Sequence, residues 1–248
     1  MSLVIDIGNT RIKGAYFEGN ELKETFAIEH GGSLQSFLQN KKPLNTLISS
    51  VHDGAAKQVT DELTQRGLSF KFLKPAELTL KLEVDEPHAV GADRIANCYG
   101  ALAHFPLNDS IVVDIGTATT FDYVTKDGKY MGGAILPGAD LCAKALHEYT
   151  DKLPLVPVQK PSSPLGKTTA SHIQSGIYYG LLGAVERMMF ELSQLASSPS
   201  SVKLIATGGA TKNPDLADGL KELVDFIDPH LTLIGLHEIL NEQISKEK

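Results

Sequence analysis

Two aspartates are set in nearly the same line of sequence. Asp6 closes the apolar run of "LVIDIGNTRIK", and Asp114 closes that of "IVVDIGTATTF", 108 positions further on (114 − 6). A carboxylate ending a buried strand is expensive without a partner, and a divalent metal or ordered water would compensate it. Gly8 then removes a side chain where the hairpin turns, so that backbone N–H groups can approach a phosphate closely. Asn9 and Thr10 add polar side chains, and Lys13 follows on the next strand. The bland alternative is that Asp6 caps a turn and Gly8 merely permits it. The second copy, at the same place in a second unit, weighs against that alternative. It is not equivalent to the first: Thr117, Thr119 and Thr120 supply three hydroxyls, and the lysine is missing. Two such loops facing one another could share the phosphates of one nucleotide. A third glycine site, "ATGGAT" (206–211), ends a strand. Gly208 and Gly209 either let backbone lie flat against an adenine ring or serve a turn that needs positive φ.

The elements that must position these residues repeat as well. Strands are predicted at 3–8, 11–18 and 22–28, the last two joined by the turn "EGNE". A short helix near 33–40, a strand at 46–51, a helix at 53–66, a strand at 69–73 and a helix over "GADRIANCYGALAHF" (91–105) follow. After the polar break "FPLNDS", the pattern restarts with strands at 110–115, 118–125 and 129–136 and a helix from about Ala139. Four prolines make 153–167 an extended loop. A long helix (170–196), a strand into the glycine turn (203–211), a helix near 214–222, a strand near 224–227 and a helix near 236–245 complete the chain. This is an α/β protein of two duplicated domains with mixed sheets and flanking helices, expected to span 1–108 and 109–248, with a cleft between them. A repeat of this length is a duplicated domain; solenoid periods are about 20–50 residues, and interdomain clefts are favoured ligand sites.

Composition narrows the classes. In 248 residues, Lys and Arg number 23 and Asp and Glu 30, a formal charge of −7. Such a surface is a poor partner for nucleic acid, which selects basic patches. No apolar run approaches the roughly 18 residues of a membrane helix, and the N-terminus does not read as a signal peptide. Cys98 and Cys142 have no metal-ligand spacing and are expected as buried thiols in a reducing cytoplasm. The eight histidines are scattered and are expected at surface or ordinary polar positions. "PSSPLGKT" (161–168) ends like a P-loop, but it lacks the first glycine and the preceding strand. There is no GxGxxG, which argues against a dinucleotide-dependent dehydrogenase.

The motifs "DIGNTRIK" (6–13), "VGADR" (90–94), "VVDIGTATTFD" (112–122), "GGAILPG" (132–138), "IQSG" (173–176) and "ATGGA" (206–210), in this order, resemble the type III pantothenate kinases. That family lies within the superfamily of actin-like ATPases and sugar kinases, whose two domains are ribonuclease-H-like. The resemblance implies ATP-dependent phosphorylation of pantothenate to 4′-phosphopantothenate, the first step of coenzyme A biosynthesis. It places ATP phosphates and magnesium at Asp6, Ile7, Gly8, Asn9, Thr10, Arg11, Ile12 and Lys13, with Asp6 on the magnesium side. It puts Thr117 on ATP phosphate, Gly208 and Gly209 near the adenosine, and a monovalent cation, potassium or ammonium, at Asp114. Pantothenate would meet Gly91, Ala92, Asp93 and Arg94, with Asp93 as general base and Arg94 on the substrate carboxylate, and would also meet Thr169. Without the resemblance, Asp93 reads as a first-turn residue favoured by the helix dipole. Val84 stands where many members carry a pocket tyrosine, and Ala89 where glutamate is frequent. Gly176, Gly180 and Gly183 line one stripe of the long helix, each costing about 0.5–1 kcal/mol relative to alanine. They need a close neighbour, either the domain's own sheet or a partner helix; the family is dimeric, which favours a homodimer. A kinase of another sugar or hydroxy acid, or a nucleotide-binding regulator acting through a protein partner, are the rival readings.

Overall fold

Leu3–Ile7 is apolar at both alternations except Asp6, the pattern of a strand covered on both faces. The fold built around it is seen in a computed structural model describing residues 1–246. Its strands are β1 (Ser2–Ile7), β2 (Arg11–Glu18), β3 (Glu21–Glu29), β4 (Asn45–Ser50), β5 (Lys71–Phe72), β6 (Lys81–Leu82), β7 (Ser110–Ile115), β8 (Ala118–Thr125), β9 (Lys129–Pro137), β10 (Lys203–Thr207) and β11 (Phe226–Ile227). Its helices are α1 (Asp53–Gln65), α2 (Ala92–His104), α3 (Ala139–Glu148), α4 (Thr169–Ser193), α5 (Pro214–Leu220) and α6 (Leu231–Lys246).

The chain divides into two compact units, one of residues 1–106 with 128–130 and α6, the other of 107–127 and 131–230. The first has a sheet ordered β3-β2-β1-β4-β5. β1, β2 and β3 are antiparallel, and β4 and β5 continue in parallel. Leu3, Ile5, Ile7, Ile12 and Ile48 bury one face of it beneath Ala55, Val59 and Leu63 of α1. Helices α2 and α6 pack on the other, against β1 and β4. Five strands of the other, six-stranded sheet, in the order β9-β8-β7-β10-β11, repeat the first sheet, and β6 pairs in parallel with the start of β9 at Lys129 and Tyr130. Ile111, Val113, Ile115 and Phe121 there meet Ile177, Leu181 and Val185 of α4.

Four details depart from the sequence reading. Residues 33–40 form turns, not a helix. The backbone N–H of Leu34 and the Ser33 hydroxyl are taken by Glu62 of α1, and Asn40 sits at φ 65°, so helical bonding does not propagate. The C-terminal helix belongs to the first unit and starts at Leu231, five residues early. Gly235 allows it: a Cβ there would collide with the Ala96 carbonyl of α2, so the two helix backbones touch. Cys98 is buried as expected, whereas Cys142 is partly exposed.

His237 is the fourth. It is 2% exposed rather than a surface group, stacked on Phe17 with ring centroids 3.9 Å apart and sharing a hydrogen bond with Ser2 Oγ (3.2 Å). Burial pushes its pKa down from the ordinary histidine value. The folded state therefore holds it neutral, while the unfolded chain takes a proton near pH 6.5. Its contribution is complete above that pH and is lost as pH falls through the lowered folded value. Thermal melts between pH 5 and 8 should show this decline, and His237→Gln should flatten it.

Candidate active site

The first hairpin holds Asp6 at the end of β1, only 8% exposed. Register places Lys13 of β2 on one side of it and Ser49 of β4 on the other, all on one sheet face. The turn at 8–10 closes with Gly8 N–H donating to the Arg11 carbonyl (3.1 Å). His30 Nε2 donates to the Gly8 carbonyl at 3.0 Å, a support that no sequence pattern indicated. A Cβ on Gly8 would meet only Arg11 O, at 3.5 Å. Nothing within the protein therefore demands glycine here, and its bare surface faces outward.

The second hairpin is one residue tighter, with Gly116 N–H donating to the Ala118 carbonyl (2.9 Å). Asp114 lies in register between Thr120 of β8 and Thr207 of β10. Thr120, which takes the place of Lys13, donates to buried Asp122 (3.2 Å). Gly138, the last glycine of "GGAILPG", lies against this turn. Its N–H donates to the Thr117 carbonyl (2.9 Å), and a Cβ there would stand 2.6 Å from that same oxygen. Gly208 has φ 99°, and a Cβ on it would stand 2.5 Å from Ile115 O and press on Asp114 Oδ1. Its neighbour Gly209 opens a short 3-10 turn and has nothing within 4 Å of its Cβ position. Of the two readings of "ATGGAT", the positive-φ turn thus accounts for Gly208, while Gly209 alone leaves a surface open.

Both motif aspartates have a hydroxyl beside them on the parallel strand, Ser49 and Thr207. Both hydroxyls are buried and lack a hydrogen-bond partner. Thr46, Ser110 and Thr119 also lack one, so what singles out Ser49 and Thr207 is their identical register next to an aspartate. A buried unsatisfied hydroxyl costs about 1–3 kcal/mol, and a hydrated cation beside the carboxylate would satisfy it. Among the described residues there is no cluster of three or more His, Cys, Asp or Glu side chains.

The 91–94 turn lies in the first unit. Gly91 caps α2 without a side-chain hydrogen bond, and a helix N-terminus of this kind favours an anion. Asp93 Oδ1 accepts from the Arg94 N–H (2.9 Å), the first-turn role that the helix alone would give it. The Arg94 guanidinium lies over the Tyr130 ring, 5.8 Å from its centroid. Tyr130 also accepts from the Glu83 N–H (2.9 Å) and pairs with Leu82 of β6, which fixes the chain next to half-buried Val84. Thr169 belongs to the second unit, exposed at the start of α4, whose N-cap is Thr168.

The family profile described as type III pantothenate kinase matches residues 2–191, which include both hairpins and the 91–94 turn. The chain belongs to the type III pantothenate kinase family. Type III pantothenate kinase 1 of Francisella tularensis subsp. holarctica is 37% identical over 225 residues, covering 84% of this chain and 88% of that one. Among solved structures, a Campylobacter jejuni protein provisionally described as a Baf family transcriptional activator superposes with a TM-score of 0.60 at 22% identity, covering 98% and 99% of the two chains. A ROK family glucokinase of Streptomyces griseus, solved with glucose and AMPPNP, gives 0.52 at 11% identity, covering 97% and 99%. Both structures share the fold with this type III pantothenate kinase family member.

Proposed function

We propose that this protein is a pantothenate kinase, transferring the γ-phosphoryl group of ATP to the primary hydroxyl of pantothenate in the first step of coenzyme A biosynthesis. The observation that carries the reading is the family match across both Asp-Ile-Gly hairpins and the 91–94 turn. In it, residues 6–13 bind the ATP phosphates, with Asp6 and the Ser49 hydroxyl toward magnesium and Lys13 beside them. Magnesium, when bound, draws off charge developing on the phosphate oxygens. Asp114, flanked by Thr207 and with side-chain-free Gly208 beside it, would hold the monovalent cation, potassium or ammonium, and Thr117 the nucleotide phosphate. Gly209 offers its bare face to adenosine. The start of α2 and Arg94 would receive the pantothenate carboxylate, with Val84 beside them in the first unit. Oδ2 of Asp93 would accept the hydroxyl proton as that oxygen attacks phosphorus.

ADP release should be followed with ATP, magnesium and potassium against pantothenate, sugars and hydroxy acids. Turnover on pantothenate alone, slower when sodium replaces potassium, is the expected result; turnover on a sugar instead would refute it. Among the described residues no helix is long and apolar enough to cross a membrane, and Cys98 and Cys142 form no disulfide. A cytoplasmic location is part of the proposed reading.

The proposed assembly is a homodimer through α4. Gly176, Gly180 and Gly183 have nothing within 4 Å of their Cβ positions, so the protein's own sheet does not account for them. Gly180→Leu should leave the subunit folded and shift sedimentation from dimer to monomer. A wild type that sediments as a monomer would remove the reading.

A further inference from the structure

Glu242 lies near the end of α6, outside residues 2–191 of the family match. Its side chain is 17% exposed, and it gathers donors from three parts of the first unit. The Thr79 N–H (3.0 Å) and hydroxyl (2.6 Å) both donate to it, as does the Tyr99 hydroxyl (2.7 Å). Lys246 closes the fourth contact at 2.6 Å and also donates to the Glu77 carbonyl at 3.0 Å. Tyr99 stands on α2, seven positions beyond Ala92, so it shares a rigid body with Asp93 and Arg94. Thr79 opens the segment that runs through β6 and Val84 to Gly91. That segment has little regular structure of its own: two strand residues and a three-residue 3-10 turn (Pro87–Ala89). One carboxylate therefore ties the start of the segment to the helix on which the segment ends.

We propose that Glu242 is a positioning residue for the pantothenate-binding segment, holding residues 79–91 and the first turn of α2 in one geometry. The inference rests on the assignment of pantothenate to residues 84–94. Four charge-assisted or short hydrogen bonds on one carboxylate are stronger than neutral ones and directional. A loop clamped at both ends also loses less entropy when it orders around a ligand. Charge is part of the device. Burial alone would raise the Glu242 carboxyl, but the bonds from Lys246, Thr79 and Tyr99 outweigh it and hold it below the ordinary carboxylate value. Burial, opposed by the bond from Thr79 and reinforced by Glu242, raises Tyr99 to about 12, so its hydroxyl stays a donor.

The test compares Glu242→Ala, Glu242→Gln and Thr79→Val in the full-length enzyme. Glu242→Ala should raise KM for pantothenate at least tenfold, leave KM for ATP within twofold, and change kcat by less than threefold. Glu242→Gln, which keeps an acceptor, should recover part of the loss. Thr79→Val removes the hydroxyl's bonds to Glu242 and Tyr99 while leaving every residue of α6 in place, so it tests the clamp even if the alanine variant folds poorly. Hydrogen exchange supplies a readout independent of the substrate. Amides of 79–94 should exchange at least tenfold faster in Glu242→Ala, while 2–18 keep their protection. Unchanged exchange at 79–94, or KM values for the two substrates rising together, overturns the clamp. Faster exchange with no pantothenate turnover even in the wild type would leave the clamp standing and refute the substrate assignment instead.

Discussion

Replacing Asp93 by asparagine should lower kcat by a factor on the order of 10²–10⁴ while nucleotide binding, followed by titration calorimetry, stays within twofold of wild type. The reason is that the two carboxylate oxygens have separate duties. Oδ1 accepts from the Arg94 N–H at 2.9 Å, and asparagine can keep that bond through its carbonyl oxygen. The start of α2 should therefore survive. Loss of the charge from the first turn weakens only the dipole interaction, about 0.3–1 kcal/mol, a shift of a few degrees at most in a melt. The other oxygen becomes an NH₂ group, a donor where the mechanism needs an acceptor. A phosphoryl transfer governed mainly by positioning and charge neutralisation would place the loss at the low end of that range. Weakened nucleotide binding in this variant would instead assign Asp93 to the phosphate side of the site.

What was legible in the sequence was local. The Asp-Ile-Gly lines named the two hairpins because a strand, a turn and a second strand are written by neighbouring residues, and their repetition gave the duplicated sheet. The missing second lysine was readable for the same reason, whereas Thr120 in the place of Lys13 came from the strand register. Contacts between distant residues were not. Nothing in "LTLIGLHEIL" shows that α6 returns to the first unit. The interior Gly235, a poor helix former in isolation, is there so that two helix backbones can touch. Glu242 reaches Thr79 across 163 positions, so its role exists only once the chain has folded. Tyr130 holds Arg94 from a two-residue ladder that carries no pattern. Gly138 was recognisable as part of a motif, but its physical reason, the hairpin carbonyls packed against it, came only from the fold.

Gly208→Ala should abolish the advantage of potassium over sodium and destabilise the protein, whereas Gly209→Ala, one residue on, should do neither. At Gly208 the backbone has φ 99°, a conformation that costs an L-residue about 1–3 kcal/mol when imposed. The new methyl would also stand 2.5 Å and 2.6 Å from the Ile115 carbonyl oxygen and nitrogen. Those are backbone atoms in the middle of a buried hairpin and cannot step aside as a side-chain tip can. The third neighbour, Asp114 Oδ1, is the movable one, so the strain should be relieved by turning that carboxylate out of its place. A cation held there would lose its charged ligand, and turnover in potassium should fall to the sodium level. Gly209 has no positive φ and nothing within 4 Å of its Cβ position, so alanine fits the fold. If its bare face receives adenosine, Gly209→Ala should raise KM for ATP alone. Asp114→Asn separates strain from chemistry: it removes the charge without crowding the turn and should lose potassium activation with a nearly unchanged melt. Potassium activation that persists in both Gly208→Ala and Asp114→Asn would place the monovalent cation elsewhere in the enzyme.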